Sequence, residues 1–161
     1  MSMLGARRSV LRLALALVSL GAPCAEAPVV PYTVCEILHD KAVYEGKPVA
    51  ALGRYSFRQD GRWLSEQACE DAPLATIWLT EDTKDGPRPP ENFELDGIVL
   101  NRKLADLRKR TPLGKFRFGT PGYDRWAVVY GRLVSRQGDA AKKAAADLVF
   151  RGDGVVVFLT Q

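Results

Sequence analysis

The sequence predicts a mostly β fold of the α+β type, with two helices and the strands closed into a small five-stranded barrel. Three observations predict it. Apolar segments follow one another in the order helix, three strands, helix, two strands. A Gly-Arg pair interrupts each of the two longest strand-like stretches, "VAALGRYSF" at 49–57 and "WAVVYGRLVS" at 126–135, as sharply bent barrel strands require. Two cysteines, Cys35 and Cys69, stand where a disulfide would fasten the first helix to the strands.

The amino-terminal segment is set apart from that fold. "MSMLGARRSVLRLALALVSLGAPCAEAP" begins with Arg7, Arg8 and Arg12, continues with an apolar run from Leu13 to Leu20, and ends in small residues. This is the plan of a secretory signal peptide over residues 1–27, with cleavage between Ala22 and Ala27. The run is too short for a bilayer of about 30 Å, so no transmembrane helix is expected in the mature chain. Lipidation at Cys24 is disfavoured, because Pro23 precedes it and Leu20 lies one place too far upstream. The expected address is secreted or periplasmic. Residues 28–161 then form a single domain, long enough for one core. Loss of the leader changes 23 basic against 19 acidic residues to 20 against 18, which removes most electrostatic support for nucleic-acid binding.

Each element has a local reason. Thr33 with Glu36 three residues on is a capping-box signature, and Val34, Ile37 and Leu38 form one apolar edge, so a short helix runs from there and ends before Gly46. The first strand spans Val49 to Phe57, Asp60-Gly61 signals a hairpin, and Trp63-Leu64 lie on the return strand. "LATIWLT", Leu74 to Thr80, is the third strand, and the polar, proline-bearing 81–94 is a loop. Ile98, Leu100, Leu104 and Leu107 recur at near-helical spacing, with Arg108, Lys109 and Arg110 at the dipole's negative end and Pro112 as the stop. Glycine-rich 111–122 leads to a strand from about Tyr123 to Ser135. Alanine-rich 139–147 and a last pairing that turns or bulges at Gly152-Asp153-Gly154 complete the chain.

A meander, a helix and two further strands form the chain order of an OB-like Greek-key barrel. In that arrangement the first and fourth strands pair, and Gly53 and Gly131 read as structural glycines that bend them, with Arg54 and Arg132 outside. The run Cys35-Glu36-x-Leu38, Tyr44-x-Gly46-Lys47-x-Val49, Gly53-Arg54, Gly61-x-Trp63-Leu64, Cys69 and Ile77-Trp78-Leu79 resembles a set of small exported bacterial OB-like proteins of uncharacterised function. The likeness covers roughly the first half of the mature chain. In the second half, Ala140 to Ala146 stands where that family would carry a Gly-His segment. The resemblance implies a fold and an address, and no activity.

The chemistry-bearing residues are few. His39, beside Asp40, is the sole histidine, and no second base, nucleophile elbow, phosphate loop or full calcium loop accompanies it. No cofactor is implied and no catalytic residue is assigned. The paired carboxylates Glu70-Asp71 and Glu81-Asp82 read as solvated turns. Cys35 and Cys69 lack metal partners, which leaves a disulfide worth about 3–4 kcal/mol on the chain-entropy model. Binding is better supported. Greek-key barrels of this kind take ligands across the second and third strands, where Trp63 and Trp78 fall, with Tyr55 alongside and Arg62 flanking. Together these would stack on a sugar or a base. Alternation puts Trp63 with Ser65 opposite Leu64, and Trp78 opposite Ile77 and Leu79. At least one of the two tryptophans is expected in the core, since small cores recruit aromatics. The function expected is an exported, non-catalytic binding module of the cell envelope, its partner a protein, peptide or glycan. The alternative is a small secreted hydrolase or enzyme inhibitor.

Overall fold

The computed structural model describes residues 27–70, 72–91, 93–114, 122–152 and 156–159. The expected signal segment therefore lies outside the described residues apart from Ala27, as do residues 153–154 of the expected last turn. Among the described residues no helix is long and apolar enough to cross a membrane.

The first strand, β1 (Pro31–Thr33), leads directly into α1 (Val34–His39). The Thr33 hydroxyl accepts from the Glu36 N–H, and the Glu36 carboxylate accepts from the Thr33 N–H at 2.7 Å, which completes the expected capping box. The single helix expected here is broken at Asp40 into α1 and α2 (Lys41–Tyr44), so the described residues hold three α-helices where the sequence predicts two. The apolar edge explains the break. Val34, Ile37 and Leu38 are buried, while in α2 Val43 is exposed and Tyr44 is only partly buried against the interior cluster, so little apolar surface holds a longer helix to the barrel.

The barrel proper consists of β2 (Pro48–Arg58), β3 (Gly61–Ser65), β4 (Thr76–Glu81), β5 (Tyr123–Ser135) and β6 (Ala146–Phe150). Their order around the wall is β2-β3-β4-β6-β5, closed by β5 on β2. All of these pairs are antiparallel except β4 with β6. The result is a closed, mixed five-stranded barrel. The first and fourth barrel strands lie side by side from Pro48 opposite Arg132 to Phe57 opposite Tyr123. The carboxy-terminal β7 (Val156–Phe158) adds to β5, and β1 adds to β2.

Gly53 and Gly131 mark corresponding corners. Along one edge β2 exchanges β1, beside Ala50–Leu52, for β3, beside Arg54–Arg58, and Gly53 falls between the two partners. Likewise β5 exchanges β7 for β6, with Gly131 in the gap. Neither glycine has positive φ, and the β2–β5 register runs without an inserted residue. Their requirement is space. A Cβ on Gly53 would stand 3.0 Å from Val34 Cγ2, and one on Gly131 would stand 2.7 Å from the Val149 carbonyl oxygen.

Two apolar clusters result. The interior one joins Leu64, Ile77, Leu79, Leu133, Leu148 and Phe150 to the buried edge of α1, which plugs one end of the barrel. The Cys35–Cys69 disulfide, with Cα atoms 5.2 Å apart, fastens α1 to the β3–β4 loop. The second cluster lies outside the wall, where α3 (Gly97–Arg110) sets Leu104 and Leu107 against Ala50, Leu52, Trp126 and Val128. The predicted apolar stripe is narrower than the spacing implies. Leu100, Leu104 and Leu107 share a face, whereas Ile98 is 85% exposed, in the first turn, where the Asp96 side chain accepts from its N–H. Alanine-rich 139–147 divides into a 3₁₀ turn at Gly138–Lys142 and the start of β6.

Candidate ligand-binding strip

The register of β3 on β4 sets Trp63 opposite Trp78 and Leu64 opposite Ile77. With successive side chains on opposite faces, Leu64, Ile77 and Leu79 enter the barrel and both indoles stand on its outer wall. Their rings stack, centroids 5.5 Å apart and planes 17° apart, and both remain half-buried. Gly61 belongs to this arrangement. It is the first residue of β3, opposite Arg58, so the hairpin loop is Gln59-Asp60 and the glycine lies beyond it. Its φ is +140°, and a Cβ there would overlap the six-membered ring of Trp78.

The wall continues to Asp147 of β6, the cross-strand neighbour of Trp78. Asp147 accepts from Arg136 Nε at 3.0 Å and from Thr80 Oγ1 at 3.3 Å, and the Arg136 guanidinium lies 5.2 Å from the Trp78 ring centroid. On the other side, Trp63 faces Ser56 of β2, whose β5 neighbour is Asp124. Burial pushes the Asp124 carboxyl up, but hydrogen bonds from Ser56, Arg58 and the Gly114 N–H outweigh it and hold the group below its ordinary value.

Tyr55 and Arg62 are not part of this strip. They share the inward phase with Leu64, because residues one apart in a strand face opposite ways. Tyr55 is buried in the interior cluster at the barrel end away from α1. Arg62 pairs there with Glu81, its guanidinium 4.8 Å from the Phe150 ring. Burial raises the Tyr55 phenol, tempered by its hydrogen bond with Arg62. The expected four-residue platform is thus two pairs on opposite sides of one wall. The expectation that Trp63 or Trp78 fills the core is also corrected: both point outward, and the deeply buried tryptophan is Trp126.

Other groups escaped the sequence reading. Glu81, expected with Asp82 in a solvated turn, is instead the last residue of β4, in phase with Ile77 and Leu79, so alternation alone would have turned it toward Arg62. Glu66 is buried where β3 ends. It accepts from the Cys35 N–H at 2.9 Å and pairs with Arg110 at 2.5 Å, joining α1, the β3–β4 loop and the end of α3. No local pattern signals that junction. His39 is well exposed beside Asp40 and lines a cleft of about 390 Å³ along the disulfide, with Glu36, Glu70 and Arg110. Among the described residues no three His, Cys, Asp or Glu side chains gather to hold a metal ion.

Fold and strip together define a disulfide-fastened mixed β-barrel with a stacked tryptophan pair on its outer wall. Comparison with protein-family models, with curated proteins and with solved structures finds no match.

Proposed function

We propose that this protein is an exported, non-catalytic binding module of the cell envelope, built on an OB-like barrel, whose ligand lies on the Trp63–Trp78 strip. One observation carries the reading. Two stacked, half-buried indoles occupy the outer wall of the second and third barrel strands, the face on which OB-like barrels take ligands. Support for the OB-like assignment comes from the wall order β2-β3-β4-β6-β5, the parallel β4–β6 pair and a helix between the third and fourth barrel strands. That helix lies against the outer wall, and α1 plugs the barrel. Export is supported by the basic-then-apolar leader, and the disulfide is compatible with it.

The test is a screen of the purified protein against envelope glycans and peptides, read by tryptophan fluorescence. A ligand lost in a folded Trp78→Ala variant supports the reading; ligands that bind Trp78→Ala as well as the parent contradict it. A second reading, a small secreted hydrolase or enzyme inhibitor, is favoured by the cleft along the disulfide, where His39, Glu36, Asp40 and Glu70 come together. Hydrolysis of an envelope substrate that His39→Ala abolishes would establish it.

A further inference from the structure

Resting on the reading that the Trp63–Trp78 strip binds a ligand, we propose that the ligand is an uncharged oligosaccharide. A sugar ring stacks on the indoles and its hydroxyls bond to the polar rim beside them.

The local charge gives an anion no ready hold. Three arginines border the dyad, and each is committed within the protein. Arg54 donates to Ser65 Oγ at 3.2 Å and to the Pro112 carbonyl at 3.0 Å. Arg58 donates to Asp124 at 2.7 Å and to the carbonyls of Phe57 and Tyr123. Arg136 is held by Asp147 against the Trp78 ring. Asp124 and Asp147 offset Arg58 and Arg136, and a phosphate or sulfate on the strip would have to draw an arginine away from the partners it already holds.

Edge geometry disfavours a peptide bound as an added strand. At the dyad both strands are paired on both sides, Trp63 between Ser56 and Trp78 and Trp78 between Trp63 and Asp147, so neither offers an open edge there to a backbone.

A neutral sugar suits what is there. The electron-rich face of an indole attracts the weakly positive C–H bonds on one side of a pyranose ring. The hydroxyls at the ring's margin need acceptors beside the aromatic, and Asp147 sits directly across from Trp78. Each of its oxygens accepts one internal bond, from Thr80 or from Arg136, and a carboxylate has about four acceptor sites. Trp78 stacks with Trp63, its six-membered ring lies against Gly61 and the Arg136 guanidinium is near it, so the pair is held before any ligand arrives, which lowers the ordering cost of binding.

The experiment titrates the purified protein with uncharged tetrasaccharides of glucose and of N-acetylglucosamine, with a sulfated heparin oligosaccharide and with an envelope-derived peptide, following indole fluorescence and calorimetry. The proposal expects an uncharged tetrasaccharide to bind with affinity that stays within about twofold between about 50 mM and about 500 mM salt. Trp63→Ala should weaken it at least about tenfold, the scale of one lost stacking contact, while Trp63→Phe, which keeps a ring and the fold, should retain most of the affinity. Binding of the sulfated sugar alone, falling steeply with salt and lost in Trp63→Ala, would overturn the ligand class and leave the strip as the binding site. Peptide binding lost in the same variant would do likewise. Binding of any probe that Trp63→Ala and Trp78→Ala leave unchanged would overturn the strip itself, as would silence from all the probes.

Discussion

Trp126 on β5 and the Trp63–Trp78 pair on β3 and β4 all point out of the same barrel, yet they meet different fates. Trp126 is 3% exposed, packed with Leu104 and Leu107 of α3. Trp63 and Trp78 belong to neither apolar cluster of the described residues and stay half-buried. The covered face has small or aliphatic neighbours, Ala50, Leu52 and Val128, over which a helix can lie flat. Around the half-buried pair stand Thr80, Asp147 and Arg136, polar groups that a leucine-bearing helix would bury at a cost of about 1–3 kcal/mol for each one left without a partner. One part of the wall is built to be sealed, and the other to stay wet.

The contrast can be broken by truncating its two sides. Trp126→Ala should have the largest effect, a loss of about 3–5 kcal/mol, because it leaves a cavity beneath α3. Chemical denaturation reads this directly, and a loss below about 1 kcal/mol would mean that α3 does not seal that face. Cys35→Ser should follow, costing about 3–4 kcal/mol by freeing the loop that the disulfide closes, with Cys69 becoming reactive to thiol reagents. Equal melting temperatures for the parent with and without reductant would contradict that.

Asp124→Asn should cost about 1–3 kcal/mol at neutral pH, through weaker bonds to Arg58, Ser56 and Gly114. Because the folded carboxyl titrates below its ordinary value of 3.8, its stabilisation is complete above that pH and is lost as pH falls through the lower folded value. The variant should therefore show a flatter acid limb, and an unchanged limb in urea titrations between about pH 5 and pH 2 would refute the assignment. Trp78→Ala should have the smallest effect on stability, about 1 kcal/mol for a lost cross-strand aromatic contact, while abolishing ligand binding. A stability loss matching that of Trp126→Ala would erase the distinction between the faces.

The sequence made the elements legible wherever their causes are local. The Thr33–Glu36 capping box, the β5 span from Tyr123 to Ser135 and the pairing of β2 with β5 all follow from short-range pattern or chain order. The barrel ends were not legible. Whether Arg62 meets Glu81, or Glu66 meets Arg110, depends on residues 19 and 44 positions apart whose approach only the closed wall creates. Alternation did contain the answer for the strip. Leu64, Ile77 and Leu79 required an inside, so Trp63 and Trp78 required an outside, and the expectation of an aromatic core overrode that simpler rule. The core tryptophan came instead from Trp126, whose cover by α3 is a contact between distant elements.

The most direct test observes the three indole N–H resonances of the protein in two-dimensional NMR while an uncharged tetrasaccharide is added. The account predicts that the Trp63 and Trp78 signals move together with ligand concentration and that Trp126, beneath α3, does not. A titration in which Trp126 alone responds, or in which none of the three moves at saturating ligand, would contradict it.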